Sequence, residues 1–355
     1  MHLLLTGAGG FVGHHVLEHF IVNTDAQLTL TDSFRHRGIS ERIVEVLDTH
    51  PGSRERVHVI THDLLAPWSS YGIASIQDRG PVDVIVQVAS ESHVDRSISD
   101  PVPFVRNNVD VALNMLELAR HLKPRIYLHL STDEIYGPAP LGRPSKEWDP
   151  ILPSNPYSAS KAAQEAIAIS YWRTYGVPLI IVNAMNLIGE RQHPEKFIPK
   201  TIVALVHGEK VVVHCSAAVV EAVRRGGPAA LADRSGISSR CYLHARNLAD
   251  AMLFLMRNVS VQEPSGSNHF PLRYHVAGEA EVDNLTMAER VAEFAERPLV
   301  WEPVDFHSSR PGHDLRYAMD AQRLHDLGWR PPVPLWESLR HIVRWSLDRP
   351  RWLAL

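Results

Sequence analysis

Short runs of apolar, β-branched residues alternate with longer segments of helical periodicity in the first half of the chain. Each run has the length of a strand, and the segments that follow space their apolar positions three or four residues apart. This alternation predicts a parallel sheet that is covered by helices on both faces. The predicted strands are 2–6, 27–31, 57–61, 82–88, 125–130 and 178–182, and the clearest helices are 11–22, 104–122 and 156–175.

The pattern changes after about residue 184, where prolines become frequent and the alternation fades. Amphipathic helices are still predicted at 247–257, 286–296 and 335–349. We therefore predict an α/β fold with a Rossmann-like, doubly wound parallel sheet and a smaller, interleaved C-terminal substrate-binding lobe. The predicted boundaries are 1–184 plus about 242–258 for the first domain, and 185–241 with 259–355 for the lobe.

Composition narrows the class of protein. The 355 residues include 36 basic and 40 acidic ones, without a run of like charge that would suggest nucleic acid or a membrane surface as partner. Two cysteines without C-x-x-C spacing favour the cytoplasm and argue against a disulfide framework. The 21 histidines lack H-E-x-x-H or His/Cys spacing, so no metal site is predicted. No apolar run reaches the length of a membrane span.

The sequence "TGAGGFVG" directly follows the first predicted strand and opens the first helix. Its glycines allow the backbone to approach a pyrophosphate, which the N–H groups and partial positive charge of the helix N-terminus can hold. This fingerprint predicts a dinucleotide site that contains Gly7, Gly10, Phe11, Val12 and Gly13.

Two acidic residues follow the next two strands. Asp32 ends the second strand, where a carboxylate can accept hydrogen bonds from an adenosine ribose, and Asp63 is placed to meet the adenine edge. Asp32 favours NAD, although the basic segment 35–37 leaves NADP open. The remaining predicted cofactor residues are Leu64 and Ala89, with Tyr157 and Lys161 at the nicotinamide end.

Tyr157 and Lys161 lie four residues apart in "YSASK", hence on one face of a helix. A nearby ammonium group stabilises a phenolate, so the pair can take a proton from an alcohol while a dinucleotide takes a hydride. Thr132 or Ser131 is placed to hydrogen-bond the reacting hydroxyl. Two further carboxylates, Asp133 and Glu134, follow directly.

Five motifs together identify a family resemblance: "ASESHVDRSI" at 89–98, "STDEIYG" at 131–137, "YSASK" at 157–161, "PEKFIP" at 194–199 and "RPGHDLRYAMD" at 310–320. Together with the fingerprint they resemble the extended short-chain dehydrogenase/reductases, and specifically the dTDP-glucose 4,6-dehydratases. The resemblance covers nearly the whole chain. It implies a nucleotide diphosphate hexose as substrate, a tightly bound and recycled NAD, and a homodimer formed through helices 104–122 and 156–175.

The resemblance also implies a role for each site residue. Tyr157 and NAD oxidise C4 of the hexose, Glu134 removes the C5 proton, and a protonated Asp133 assists the loss of the C6 hydroxyl before the hydride returns to C6. Neighbouring carboxylates can differ in protonation when their environments differ. The implied substrate contacts are Glu91, His93, Asn186, Lys196, Arg240 and Arg310.

The segment between Lys210 and Arg240 is longer than its counterpart in the family. Its sequence "AAVVEAVRR" followed by "GGP" predicts an inserted helix beside the nucleotide end of the substrate. The base and sugar therefore stay open. Alternatives on the same scaffold are a 4-epimerase, a 5,6-dehydratase and a decarboxylase, and an alternative from another class is a non-catalytic NAD-binding protein.

Overall fold

The central element is a sheet of seven parallel strands. A computed structural model describes residues 1–35, 37–227, 231, 233–261, 269–306 and 314–354. The strands of the large sheet are β1 (His2–Thr6), β2 (Gln27–Asp32), β3 (Val57–Thr61), β4 (Val84–Gln87), β5 (Ile126–Thr132), β6 (Leu179–Ala184) and β11 (Leu272–Val276). All six predicted strands are confirmed, with ends that shift by a few residues.

The strands lie in the order β11-β6-β5-β4-β1-β2-β3. This is the doubly wound order of dinucleotide-binding sheets with one added strand, and its direction reverses between β1 and β4. Ligands of such sheets bind outside the carboxyl ends of the strands at this reversal. The Rossmann-like fold predicted from the sequence is confirmed.

Strand β11 belongs to the large sheet although it lies within 259–355, the range predicted for the lobe. Residues Leu272–Val276 pair in parallel with β6 and complete the large sheet. The strand contains the buried polar residues Arg273 and His275, which hide the apolar pattern of a central strand. The chain therefore returns to the first domain twice after residue 184.

Helices cover both faces of the sheet. In chain order the helices are α1 (Phe11–Asn23), α2 (Ser40–Thr49), α3 (Ser70–Gln77), α4 (Val94–Ser99), α5 (Pro101–Leu122), α6 (Pro156–Tyr175), α7 (Phe197–His207), α8 (Ala217–Gly226), α9 (Ala245–Asn258), α10 (Asn284–Ala295), α11 (Gln322–Asp326) and α12 (Leu335–Asp348). Helices α1, α2 and α9 share one core with the sheet, and α5 and α6 share the other. Short 3-10 helices lie at Pro51–Arg56, Asp133–Tyr136 and Pro350–Leu353.

The lobe consists of helices and short strand pairs. Strands β7 (Leu187–Ile188) and β10 (Leu243–His244) pair in parallel, β9 (Ser239–Arg240) and β12 (Val282–Asp283) are antiparallel, and β8 (Val211–Cys215) pairs in parallel with β13 (Trp301–Asp305). Helices α7, α10 and α12 enclose the main apolar core of the lobe. None of the helices in the described part of the chain is long and apolar enough to span a membrane.

The predicted inserted helix is present as α8. It ends before Gly227, whose φ of +72° suits a glycine at a helix C-terminus. Its buried valines, Val219, Val220 and Val223, pack into a core with β8. Residues 228–230 and 232 of the insertion lie outside the described residues.

Candidate active site

A cleft of about 900 Å³ lies at the carboxyl ends of the large sheet's strands and continues into the lobe. Within the described part of the chain, it is lined by every residue predicted for the site: Gly7, Gly10, Phe11, Val12, Gly13, Asp32, Asp63, Leu64, Ala89, Glu91, His93, Thr132, Asp133, Glu134, Tyr157, Lys161, Asn186, Lys196 and Arg240. Arg310 falls outside the described residues.

The glycine turn between β1 and α1 has no room for a side chain at Gly7 or Gly13. Gly7 has a φ of +68°, and a Cβ there would lie 2.9 Å from the Cα of Ala89. A Cβ on Gly13 would lie 2.0 Å from the backbone oxygen of Gly7. Helix α1 begins after Gly10 with no side-chain cap and no acidic residue in its first turn. Its N-terminus can therefore bind a pyrophosphate.

Asp32 fixes this turn from the end of β2. Its Oδ2 accepts a hydrogen bond from the N–H of Gly9 at 2.9 Å, and its Oδ1 accepts one from the N–H of Phe34 at 2.9 Å. Burial raises the pKa of Asp32, and these two bonds oppose that shift. Asp32 lines the cleft, and its contact with a ribose stays a prediction.

Both arginines of the segment 35–37 are paired with carboxylates. Arg35 forms an ion pair with Asp63, and Arg37 lies 2.9 Å from Glu195 in the loop before α7. An additional phosphate on the adenosine ribose would have to compete with these carboxylates for the arginines. The pairing thus favours NAD over NADP.

The two acids begin a 3-10 turn directly after β5. Thr132 is the last residue of the strand, and its Oγ1 donates a hydrogen bond to Oδ1 of Asp133 at 3.0 Å. The side chain of Thr132 also acts on Tyr157, whose pKa it lowers. Because the strand extends to Thr132, the acids stand at the sheet edge where the cleft lies.

Asp133 and Glu134 have different surroundings. Burial, followed by the charge of Glu134, raises the pKa of Asp133 to about 7. Burial also raises the pKa of Glu134, but a hydrogen bond from Asn155 and the positive charges of Arg240 and Lys196 oppose that shift. At neutral pH, Asp133 can therefore hold a proton, whereas Asn155, Arg240 and Lys196 act on Glu134 in favour of its anion.

Tyr157 and Lys161 share one face of α6, as predicted. Asn155 caps this helix by accepting a hydrogen bond from the N–H of Ser158 at 2.9 Å, which places Tyr157 in the first turn. Burial and then the charge of Glu134 raise the pKa of Tyr157, while the side chain of Thr132 lowers it. Burial lowers the pKa of Lys161 to about 8. Its ammonium donates to the backbone oxygen of Leu130 at 2.7 Å.

Two of the predicted substrate contacts follow β4 and already have polar partners. Glu91 lies 3.4 Å from the guanidinium of Arg96. His93 accepts a hydrogen bond from the N–H of Arg96 with Nδ1, at 3.1 Å, and its Nε2 lies 3.1 Å from Glu195. These contacts hold both side chains against the cleft wall.

Arg240 extends from β9 towards the acids. It donates hydrogen bonds to the backbone oxygens of Asp314 at 2.8 Å and Leu315 at 2.7 Å, and its guanidinium lies over the ring of Tyr317 at 4.7 Å. The side chain is therefore oriented by residues of the motif at 310–320.

The comparisons with known proteins agree with this geometry. A model of the NAD dependent epimerase/dehydratase family matches residues 3–269. The chain belongs to this family. The resemblance and the Rossmann-like fold inferred from the sequence are thereby confirmed.

Three members of the family illustrate how close the similarity is. The dTDP-glucose 4,6-dehydratase of Haemophilus influenzae is 29% identical, over 98% of each chain. The low-salt glycan biosynthesis protein Agl12 of Haloferax volcanii is 30% identical, over 98% of this chain and 99% of its own. A crystal structure with NAD bound is known for DesIV, the dTDP-glucose 4,6-dehydratase of Streptomyces venezuelae. Its sequence is 27% identical to this one, and the two structures superpose with a TM-score of 0.80 over 99% of this chain and 98% of that chain.

Two residues near the acids were not predicted from the sequence. The hydroxyl of Tyr317 lies 3.5 Å from Oε2 of Glu134, and Nδ2 of Asn155 lies 3.4 Å from the same oxygen. Tyr317 belongs to a motif that supports the family resemblance, and Asn155 precedes the proline that opens α6. The motif that contains Tyr317 and the proline that follows Asn155 are both visible in the sequence, but neither indicates a contact with Glu134.

The inserted helix α8 lies behind strand β8. None of the described residues of α8 lines the cleft, whereas Val211, Val212 and His214 of β8 do. The amphipathic pattern of α8 places its valines in the core beneath β8, so the helix supports the cleft wall from behind. The position of the helix beside the nucleotide end of the substrate stays a prediction.

A histidine cluster lies apart from the acids. His15, Glu190 and His244 are buried with their ligand-type atoms within 4.8 Å of one another. However, Nδ1 of His244 accepts the N–H of Arg246 at 2.9 Å, so Nε2 carries the proton and donates to Glu190 at 3.1 Å. Metal coordination through Nε2 would require a proton on Nδ1 and loss of this helix cap. The arrangement favours a hydrogen-bonded cluster.

Proposed function

We propose that this chain is an NAD-dependent nucleotide-sugar 4,6-dehydratase, a lyase that converts a nucleotide diphosphate hexose into the 4-keto-6-deoxy product. The observation that carries the proposal is the pair Asp133 and Glu134 beside Tyr157, in one cleft with a dinucleotide turn. Relatives named dTDP-glucose 4,6-dehydratases match nearly the whole chain and support it.

The residues of the glycine turn fit NAD. The absence of room for a Cβ at Gly7 and Gly13, the uncapped start of α1 and the carboxylate of Asp32 form a cradle for a pyrophosphate and a ribose. When bound, NAD supplies the chemistry of hydride acceptance from C4 and of hydride return to C6. We assign the remaining predicted cofactor contacts to the walls of this cradle.

Tyr157, Lys161 and Thr132 act on the C4 hydroxyl in this proposal. Tyr157 takes the hydroxyl proton, and the ammonium of Lys161 on the same helix face favours the phenolate. Thr132, whose side chain acts on Tyr157, orients the sugar hydroxyl. The buried position of Tyr157 keeps water away from this proton transfer.

Glu134 and Asp133 carry out the elimination. The ketone at C4 makes the C5 proton acidic, and Glu134 removes it as a carboxylate. Asp133 gives its proton to the C6 hydroxyl, which leaves as water because hydroxide is a poor leaving group. The raised pKa of Asp133 allows it to hold that proton near neutral pH.

The diphosphate and hexose are bound by the walls of the cleft in this proposal. Lys196 and Arg240 bring positive charge close to Glu134, as their effect on its pKa indicates, and Arg310 is proposed to join them. Glu91, His93 and Asn186 are proposed as contacts of the substrate. We assign the cofactor to 1–184 and 242–258, and the substrate mainly to 185–241 and the later lobe.

Product analysis tests the function. The purified protein, incubated separately with dTDP-, UDP-, GDP- and CDP-hexoses, is expected to convert at least one into a product lighter by one water, with no net change in NAD. Deuterium from solvent is expected at C5. If none of these substrates loses water, the proposal is wrong.

We further propose that the enzyme is a cytoplasmic homodimer that contributes to deoxysugar biosynthesis. Helices α5 and α6 pack side by side, and exposed positions on them include Val102 and Ala166. Replacing Ala166→Arg is expected to convert a dimer to a monomer in sedimentation. The two cysteines are buried and unpaired, which suits a reducing compartment.

A further inference from the structure

A fully buried ion pair lies behind the segment that carries the two acids. Arg273 of β11 and Glu165 of α6 pair with 1% and 0% of their side chains exposed. Taking both charges out of water is expensive, and an apolar pair of similar volume is often at least as stable. We therefore expect the pair to have a role besides stability.

Glu165 reaches the start of the acidic segment through one intermediate residue. Its Oε1 accepts a hydrogen bond from Nδ2 of Asn183 at 2.8 Å, and the same nitrogen donates to the backbone oxygen of Thr132 at 3.0 Å. Thr132 is the residue immediately before Asp133. The carboxylate thus fixes the end of β5.

Arg273 reaches the other end of the segment. Its Nη1 donates to the hydroxyl of Tyr136 at 3.0 Å and to the backbone oxygen of Glu147 at 2.9 Å. Nδ1 of His275 faces the backbone oxygen of Asp320 and must donate to it, so Nε2 accepts the hydroxyl proton of Tyr136 at 2.8 Å. The orientation of Tyr136, two residues after Glu134, is therefore determined.

We propose that the Arg273–Glu165 pair is a positioning unit, which holds both ends of the turn Asp133–Tyr136 and so sets Asp133 and Glu134 in place for the elimination. The inference rests on the proposed dehydratase function. Neither member of the pair lines the cleft, so both act through other residues. The carboxylate of Glu165 also acts on Lys161, since its charge raises the pKa of the lysine against the effect of burial.

The decisive variant replaces the pair with apolar side chains, Arg273→Met together with Glu165→Met, since breaking only one half would leave a buried charge. We expect KM within about twofold of wild type, at least a tenfold loss of kcat for water release, and accumulation of reduced cofactor, because oxidation continues while elimination slows. The pH profile of the oxidation rate is expected to shift to lower pH, because the charge of Glu165 no longer raises the pKa of Lys161. Arg273→Lys is expected to restore part of the kcat.

Hydrogen exchange provides a readout that needs no activity. Amides 133–136 are expected to exchange at least about tenfold faster in the double variant. The control is Arg54→Met with Asp48→Asn, an exposed ion pair far from the acids in the described structure, and it is expected to leave kcat and exchange unchanged. If the apolar pair keeps kcat within about twofold and exchange unchanged, the inference is overturned.

Two further outcomes are distinguishable. If the double variant does not fold, Tyr136→Phe takes its place, because it removes only the hydroxyl that Arg273 binds. We expect this variant to lose at least about threefold in kcat and to exchange amides 133–136 faster. If neither kcat nor exchange changes, the inference is overturned. If the wild-type protein dehydrates no sugar nucleotide, the proposed function fails, and exchange alone decides whether the pair positions the turn.

Discussion

Oδ1 of Asp133 accepts a hydrogen bond from Thr132 Oγ1 at 3.0 Å, whereas Oδ2 meets no hydrogen-bond partner among the described residues. An oxygen that is buried and unpartnered is the natural site for a proton, which explains why burial dominates the raised pKa of about 7. In the proposed reaction, this proton is the one that leaves with the C6 hydroxyl.

The rate of water loss is therefore expected to fall by about tenfold for each pH unit above the pKa of Asp133, because the acid must be protonated. Single-turnover measurements between about pH 5 and about pH 9 would resolve this limb, with cofactor reduction followed in parallel as a control. A rate of water loss that rises through neutrality would contradict the assignment of Asp133 as the acid.

The same titration affects stability. The folded-state pKa of Asp133 lies above its ordinary value, so its contribution is complete at low pH and is lost as the pH rises through about 7. Asp133→Asn has no proton to lose, and its Tm is expected to rise relative to wild type between about pH 5 and about pH 8. Calorimetry measures this, with the exposed Asp48→Asn as control. Parallel Tm profiles for wild type and Asp133→Asn would argue against a raised pKa.

Replacing either acid is expected to separate oxidation from elimination. Asp133→Asn and Glu134→Gln should each slow water loss by about 10²–10⁴-fold, the usual range for a general acid or base. Oxidation at C4 relies on Tyr157 and continues, so reduced cofactor accumulates and is measured by its absorbance. If turnover survives both changes, a simple 4-epimerase becomes the better description.

Cofactor choice is expected to depend on Asp32. Because Asp32 places a carboxylate in the cleft lining and Arg35 and Arg37 are already paired, the protein should bind NAD at least about tenfold more tightly than NADP. Asp32→Ser is expected to weaken the binding of NAD and to reduce the preference for NAD over NADP. Calorimetric titration of both dinucleotides tests this, with Asp48→Asn as the control. Equal affinities for the wild type would contradict the role of Asp32.

The insertion is expected to affect the nucleotide end of the cleft indirectly. Val219→Ser places a hydroxyl in the core between α8 and β8, which should lower stability by about 1–3 kcal/mol. Because β8 lines the cleft, KM for the sugar nucleotide is expected to rise while the Kd for NAD stays unchanged. The exposed Arg224→Ser on the same helix is the control. An unchanged KM in a destabilised variant would show that β8 is not part of the binding wall.

The sequence carried enough signal to predict six of the seven strands of the large sheet and many of the residues that line the cleft. Local motifs identified Gly7, Asp32, Thr132 and Tyr157 because each lies at a strand end or in the first turn of a helix, which the topology brings to one edge. Helix α8 was predicted from its pattern, but its packing behind β8 was not, because an amphipathic face does not specify which apolar surface it covers.

Contacts between distant segments could not be predicted. Glu190 and His15 are separated by 175 residues, and Arg273 and Glu165 by 108. No periodicity links such residues, and the meeting of their side chains depends on the complete fold. Strand β11 was missed for the same reason, since its arginine and histidine are compatible with burial only because Glu165 and Tyr136 face them.

Strand β11 also sets a limit on how the protein can be made or divided. A fragment that stops at residue 184 would leave β6 as an open edge, with the backbone groups that pair with Leu272–Val276 exposed. Such an edge is a template for association with other chains. During synthesis, the large sheet can be completed only after residue 276 has left the ribosome. More than three quarters of the chain must therefore be synthesised before the first domain can finish folding.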